Sequence, residues 1–390
     1  MRIIPLSSLH YIILLTILSH IAFAGSRVTV SLYAIHLHES PFTIGLLMAL
    51  YAFLPALLSI SVGRLIDRIG VRVPMIVGSL LMVLGTLAPV LSQNVNALYF
   101  ASALIGTGFM AIGVGGYQVV GELSTAEQRP THFSLLALGF SVSGFFGPMI
   151  AGLAIDHLGH AHSFLMLAAF AFTPAIALVV NRVGLPRPHG HAERPSESAV
   201  MDLLRNSDLR RIYIAVALMS VAWDVYNFAI PVYGYRIGLS ASQIGLIMGS
   251  FAAATFAIRL AMPFIARNVK PWPLMMASSL VAATSYFLIP LAANALVLMA
   301  LLFLLGLGLG APQPVVLSLL HETAPAGRGG EAVGVRILLI NLSQTVMPLV
   351  FGALGAALGI VPVFWLTALC LTAGGWLAHK RAFVDHKPMS

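Results

Sequence analysis

The sequence predicts an all-α membrane protein of twelve transmembrane helices in two pseudo-symmetric six-helix bundles, and three observations carry that reading. Of 390 residues, 59% are apolar and only 9% are charged, against roughly 25% charged in a soluble domain. Long stretches without Asp, Glu, Lys or Arg fill the chain. The first half recurs in the second at an offset of 200 residues. So few charges cannot cover a water-soluble fold, whereas a bilayer span needs about 20 apolar residues.

Uncharged stretches at 3–26, 40–63, 130–155, 157–181 and 237–258 are each one span long. Those at 73–121, 271–321 and 337–379 are each about two, so each hides a hairpin. The breaks are Gln93-Asn94-Val95-Asn96, Ala293-Asn294 and Gly359-Ile360-Val361-Pro362. With the stretch at 212–236, which holds Asp224, the helices are expected at 9–36, 42–62, 74–92, 96–120, 132–155, 162–181, 212–236, 242–265, 274–292, 296–320, 334–358 and 362–379.

Lys and Arg are retained on the cytoplasmic side of a membrane, and 18 of the 21 fall on one side of this arrangement. Arg236 lies near the other face, and Arg27 and Arg259 sit within spans. An even number of spans then places both termini in the cytoplasm, in a plasma membrane of the bacterial inner-membrane type. The net charge of +8 is spread over successive short loops, which topology explains without a nucleic-acid partner. The lone Cys370 excludes an intramolecular disulfide. Arg2, the apolar run 11–18 and Ala22-Phe23-Ala24 imitate a cleavable leader. Cleavage would remove most of the first helix and leave the second half without its mate.

The repeat is read from residues that chance matching in apolar sequence does not supply. Tyr33 meets Tyr233, Ile44-Gly45-Leu46 meets Ile244-Gly245-Leu246, Gly106 and Gly108 meet Gly306 and Gly308, Ser143 meets Ser343, Pro148 meets Pro348, and Gly152 meets Gly352. Duplicated six-helix units are a transporter architecture in which a central site is exposed alternately to each side. The expected organisation is one half at 1–182, a cytoplasmic loop at 183–211 and a second half at 212–390. The loop opens with Pro186, Pro188, Gly190 and Pro195, which argue for disorder, and Ala199-Val200-Met201 with Leu203-Leu204 suggest a short surface helix.

After the second helix comes Gly63-Arg64-Leu65-Ile66-Asp67-Arg68-Ile69-Gly70-Val71-Arg72. It resembles the loop motif of the major facilitator superfamily, G-x-x-x-D-R-x-G-x-R, at each fixed position. Gly63 permits close helix approach, Gly70 takes a turn that other residues avoid, and Asp67 suits a helix N-terminus. The resemblance implies that Asp67 contacts the eleventh helix and latches the outward-facing state together with Arg68 and Arg72. Arg336 is the local candidate partner. In the second half Arg267 occupies the position of Asp67, so the carboxylate is not duplicated.

The fifth helix carries Gly147-Pro148-Met149-Ile150-Ala151-Gly152, which resembles the antiporter motif G-P-x-x-G-G with Ala151 in place of one glycine. Small residues allow close packing and proline allows a bend; the resemblance implies drug or metabolite export. In the fourth helix the family's antiporters place an arginine four residues before the Gly-x-Gly, where this chain has Ser102. A standard antiport relay therefore lacks one of its parts.

Ionisable groups within a membrane cost roughly 2.5–3.5 kcal/mol on insertion scales, so they default to function. Asp224 is the carboxylate expected at the membrane centre, and its repeat mate is Ala24. Desolvation favours the neutral acid and a nearby cation favours the carboxylate, so such a group can take a proton on one side and release it on the other. Arg27 and His20, on the symmetry-related first helix, are the expected partners. Breaking an Arg27–Asp224 pair, by protonation or by an anionic solute, would bias the rocking of the halves. Arg259 fits either an anion site or a cytoplasmic gate. Gln118, Trp223, Tyr226, Asn227, Gln313, Asn341 and Gln344 lie within spans and are candidates to line a cavity. His157, His160 and His162 have a spacing that metals use, but a solvated loop accounts for them and no metal or cofactor is expected.

The sequence thus points to a secondary transporter, a proton-coupled exporter of a small organic compound acting as a monomer, with Asp224 as coupling group. The alternative is an importer or symporter of a small organic anion held by Arg27 or Arg259. A membrane-embedded enzyme would call for a cluster of catalytic side chains at a helix end, which the sequence does not offer.

Overall fold

The computed structural model describes residues 8–125, 127–180, 185, 203, 205–325 and 329–384. The expected surface helix at 199–204 and most of the central loop lie outside the described residues, although Leu203 is buried beside Leu209 and Ile212. The first bundle consists of α1 (Ser8–His36), α2 (Pro41–Ile69), α3 (Arg72–Leu91), α4 (Val95–Leu123), α5 (Arg129–Leu158) and α6 (His160–Val180). The second consists of α7 (Ser207–Arg236), α8 (Ala241–Asn268), α9 (Pro271–Leu288), α10 (Ala295–Gly310) with α11 (Pro312–Thr323), α12 (Gly329–Leu358) and α13 (Val361–Val384). Eleven helices among the described residues are long and apolar enough to cross a membrane, and Val361–Gly375 is a shorter apolar helix. The chain is an integral, multi-pass membrane protein.

Every helix expected from hydropathy is present, and most run farther than the hydrophobic stretch alone. The second was expected to stop at residue 62, but α2 continues through Arg64, Asp67 and Arg68 to Ile69. Charge marks where the hydrocarbon ends, not where the helix ends. The helix stops where Gly70 takes φ 84° and its N–H still reaches the Ile66 carbonyl, a conformation that favours glycine. The tenth span, expected unbroken over 296–320, is divided at Ala311. Pro312 supplies no N–H there to continue the ladder. The histidine segment is not an open loop: α5 ends at Leu158, Gly159 turns at φ 86°, and His160 begins α6. His160 stacks on His36 and on Tyr33, with ring centroids 4.9 Å apart in each case. Among the described residues no group of His, Cys, Asp and Glu is placed to hold a metal ion.

The 200-residue offset reappears as matched contacts. A methyl group on Gly45 would strike the Pro348 carbonyl, and one on Gly245 would strike that of Pro148. Gly352 lies against Pro41 as Gly152 lies against Ala241. These two crossings, α2 with α12 and α5 with α8, join the bundles at the face that carries the α1–α2 and α7–α8 turns. Within each bundle, Gly106 lies against Tyr51 as Gly306 lies against Phe251. Without a hydrophobic drive between helices in lipid, backbone-close packing of this kind does the joining.

One fastening on that face is not duplicated. The Asp156 carboxylate, near the end of α5, accepts hydrogen bonds from the backbone N–H groups of Ala241 (3.0 Å) and Ser242 (2.8 Å) at the start of α8. It therefore satisfies orphan donors at a helix N-terminus belonging to the other bundle. At the other face, which bears Arg64, Arg68 and Arg72, the bundles are fastened differently. Gly63 and Gly334 have open space where a side chain would go, so the close approach expected at Gly63 is absent in this conformation.

Placing valine at Gly245 is expected to part α5 from α8 at the closed face. A cysteine at position 242 should then label faster with a membrane-impermeant maleimide than it does with Gly245 intact. Equal labelling rates would show that this crossing does not hold the face shut.

Candidate functional site

His20, Phe23 and Arg27 follow one another at intervals of three and four residues, so they share one face of α1. On this face Phe23 stacks on Phe109 of α4 at 4.4 Å between centroids, and His20 meets Phe109 at 5.2 Å and Phe140 of α5 at 4.8 Å. His20 Nδ1 and Ser143 Oγ are hydrogen-bonded at 2.6 Å. The Arg27 guanidinium carbon stands 5.9 Å from the centre of the Phe23 ring. No hydrogen-bond acceptor reaches Arg27 among the described residues, and its buried Nε is unsatisfied.

The second bundle presents a matching surface. Trp223, Tyr226 and Asn227 lie on α7, and Tyr226 stacks on Phe251 of α8 at 3.9 Å while Trp223 meets Phe251 edge-on at 4.8 Å. The Tyr226 hydroxyl donates to the Met248 carbonyl at 3.1 Å, and Asn227 Nδ2 donates to the Trp223 carbonyl at 2.8 Å. The indole N–H of Trp223 is buried and unsatisfied. Asp224 is only 3% exposed and accepts a hydrogen bond from Ser343 Oγ at 2.6 Å.

The repeat relates these two surfaces residue by residue. Phe23 corresponds to Trp223, Arg27 to Asn227, Tyr51 to Phe251 and Ser143 to Ser343. In each bundle a serine of the fifth or eleventh span holds a titratable side chain of the first or seventh: Ser143 holds His20, and Ser343 holds Asp224. Arg27 and Asp224 interact electrostatically across the boundary. They do not close into an ion pair among the described residues, so the pair expected from sequence is an approach and not a bond in this conformation. Among the described residues Tyr51, Tyr226, Tyr286 and Arg259 are further charged or titratable groups within electrostatic reach of this locus.

Other residues singled out by sequence are placed elsewhere. Gln118 lies at the basic face, where its Nε2 donates to Asp67 at 3.3 Å and to Glu122 at 2.8 Å. Asp67 thereby has a partner, and it does not pair with Arg336, whose Nε is buried and unsatisfied. Arg72 donates from Nη1 to the Leu178 carbonyl at 2.9 Å, tying the start of α3 to the end of α6. Arg259 is a strut between the bundles. Its Nη1 donates to the Ala137 carbonyl (2.9 Å) and Ser141 Oγ (2.6 Å) on α5, and its Nη2 donates to Gln313 Oε1 (3.0 Å) on α11. Asn341 is half-buried on α12, and Ser102 is fully buried on α4. The Gly147–Gly152 segment is packing surface: Gly147 lies against Ile21 and Gly25 of α1, the Pro148 carbonyl receives Gly245, and Gly152 receives Ala241.

The profile of the Major Facilitator Superfamily matches residues 12–336 and 212–389. The chain belongs to this family. Among its relatives is a "Multidrug resistance protein MdtG" of Klebsiella pneumoniae (strain 342), 25% identical over 335 residues that cover 83% of this chain and 80% of the relative. Another is a "Synaptic vesicular amine transporter" of Bos taurus, 23% identical over 327 residues. That alignment covers 81% of this chain but 62% of the bovine protein. Among solved structures, a bacterial homologue of the human lysosomal transporter Spinster, in an inward-facing and unoccupied conformation, superposes with a TM-score of 0.77. It is 13% identical, with 98% of this chain and 99% of that one covered, a likeness that establishes the facilitator fold. Family and fold point to a transporter.

Arg259→Gln is expected to lower the melting temperature of the purified facilitator by several degrees. The shorter side chain leaves the Ala137 carbonyl and Gln313 without their donor, at about 1–3 kcal/mol for buried polar groups. An unchanged melting temperature would mean that the strut carries no stability.

Proposed function

We propose that this facilitator is a proton-coupled secondary transporter that exports small organic compounds, working as a monomer in the plasma membrane with both termini in the cytoplasm. The observation that carries the proposal is the position of Asp224: a buried carboxylate on α7, held by Ser343 of α12, with the positive charge of Arg27 across the boundary between bundles. When the bundles rock, the distance between Asp224 and Arg27 changes. Proximity to Arg27 favours the carboxylate, and separation in a desolvated site favours the neutral acid. The cycle therefore gives Asp224 a reason to release a proton in one state and take one in the other. Export is supported by the glycine–proline segment of α5 and by the likeness to the Klebsiella multidrug resistance protein. Asp67 and Arg336 face the opening and closing of the basic face, where their pairing would latch the alternate state.

One observation favours a second reading. Among the described residues the buried Nε of Arg27 finds no hydrogen-bond acceptor, which suits uptake of an organic anion. Protonation of Asp224 would then leave Arg27 to the solute, so proton and anion would bind together and travel together, by the reciprocity of linked binding. The sign of the pH gradient that drives accumulation in inverted vesicles separates the two.

For either direction, Asp224→Asn is expected to reduce pH-gradient-driven transport in proteoliposomes to background while solute exchange without a gradient continues. The solute is chosen by a thermal-stability screen over drugs, sugars, amino acids and organic acids, since binding raises apparent stability. Undiminished gradient-driven transport in the variant would remove Asp224 from the coupling role.

A further inference from the structure

We infer that the central site takes an aromatic organic anion, a solute with a flat ring and an acidic group, held between Phe23 and Trp223 with its acid on Arg27. The inference rests on reading the boundary between the bundles as the solute site, and it names the solute's chemistry.

Among the described residues the buried, unsatisfied side-chain atoms are Arg27 Nε, Trp223 Nε1, Arg336 Nε and Ser102 Oγ. The two on the first and seventh spans, those of Arg27 and Trp223, belong to side chains that are donors with no acceptor capacity. A buried donor without a partner costs about 1–3 kcal/mol. Two such donors on facing helices describe a missing acceptor, and a guanidinium selects a charged one, since its two N–H edges match a carboxylate or related acid.

The acidic side chain nearby does not supply that acceptor. Asp224 is turned to Ser343, at 2.6 Å, and is nearly sealed from solvent. A cationic solute would have to displace this serine and sit beside the Arg27 charge. Arg259, within electrostatic reach of His20, adds a second positive charge to this region. Charge along this boundary therefore favours an anion.

The ring is specified by the walls. Phe23 and Trp223 occupy equivalent places in the two repeats. Each is backed by further aromatic side chains, Phe109 behind Phe23 and Phe251 behind Trp223. Arg27 stands one helical turn from Phe23 and Asn227 one turn from Trp223, on the same side. A flat ring between the two walls thus brings an attached acid group to the polar end of the site. Offset-stacked and edge-to-face contacts favour an aromatic ring over a saturated one of the same size.

The test is a binding measurement on the purified, full-length protein with three probes: 2-naphthoate, 2-naphthylmethylamine and decahydronaphthalene-2-carboxylate. 2-Naphthoate is expected to raise the melting temperature with concentration, the amine to leave it unmoved, and the saturated acid to bind more weakly. Arg27→Gln should weaken naphthoate binding about tenfold or more, as loss of a charge-assisted bond implies, and Trp223→Phe, which keeps the ring and removes the N–H, about threefold. A site that binds the amine as well as the acid, or binds no naphthoate at millimolar concentration, overturns the inference. So does naphthoate binding that is unchanged in Arg27→Gln. If that variant does not fold, Trp223→Phe and the acid–amine comparison on the unmodified protein decide. No gradient enters these measurements, so proton coupling can fail while the anion site stands, and the reverse.

Discussion

Arg27 and Asp224 face each other across the boundary of two bundles, close enough to interact electrostatically but without an ion pair among the described residues. In water such a pair would matter little. Within a membrane a charge is costly unless the protein compensates it, so where each charge finds its compensation decides which arrangement of the bundles is stable. Asp224 has found Ser343 within its own bundle, while among the described residues Arg27 has the face of Phe23 and a buried Nε without an acceptor. The molecule is therefore poised with one charge satisfied and the other available. Proton, solute and the opposite conformation compete for that availability.

The rest of the fold supplies the motion that makes the competition useful. At the closed face the bundles meet through two crossings related by the repeat, Gly45 on Pro348 and Gly245 on Pro148, where backbone touches backbone. Interfaces without side chains between them can separate as rigid surfaces. The asymmetric additions are polar: Asp156 on the N-terminus of α8 at one face, and Arg259 between α5 and α11 toward the other. Both lie on the α5–α8 side. Among the described residues the α2–α12 side is joined by backbone-close packing at Gly45 and Gly352, with Gly63 and Gly334 unopposed toward the basic face. The two sides of the boundary are thus unequally fastened.

Much of this was legible in the sequence. The spans followed from charge-free length, and the 200-residue offset foretold two bundles; that Gly45 meets Pro348 and Gly245 meets Pro148 is read only from the packed structure. Helix ends were less legible, because hydropathy locates the edge of the hydrocarbon and α2 runs past it to Gly70. The placement of Gln118 was not legible, because a polar residue in a span gives no sign of which way it points, and it faces Asp67. Phe23, Phe109, Phe140 and Phe251 were not singled out at all, since aromatic residues are ordinary in membrane helices. The repeat held a usable signal for two of them: Phe23 aligns with Trp223 and Phe251 with Tyr51, aromatic against aromatic at matched depth. The unsatisfied state of Arg27 could not be read from any pattern. It depends on where the neighbouring acceptors are spent, and only the packed structure fixes that.

The central claim is that Asp224 changes protonation state during the cycle. Infrared difference spectroscopy on the purified protein, titrated across neutral pH, observes this directly through the carbonyl stretch of a protonated carboxylic acid. The account predicts a carboxylic-acid band that appears as pH falls, in an environment shielded from water, and that is missing from Asp224→Asn. The same band persisting unchanged in the variant, or no protonated carboxyl at any pH at which the protein transports, would contradict it.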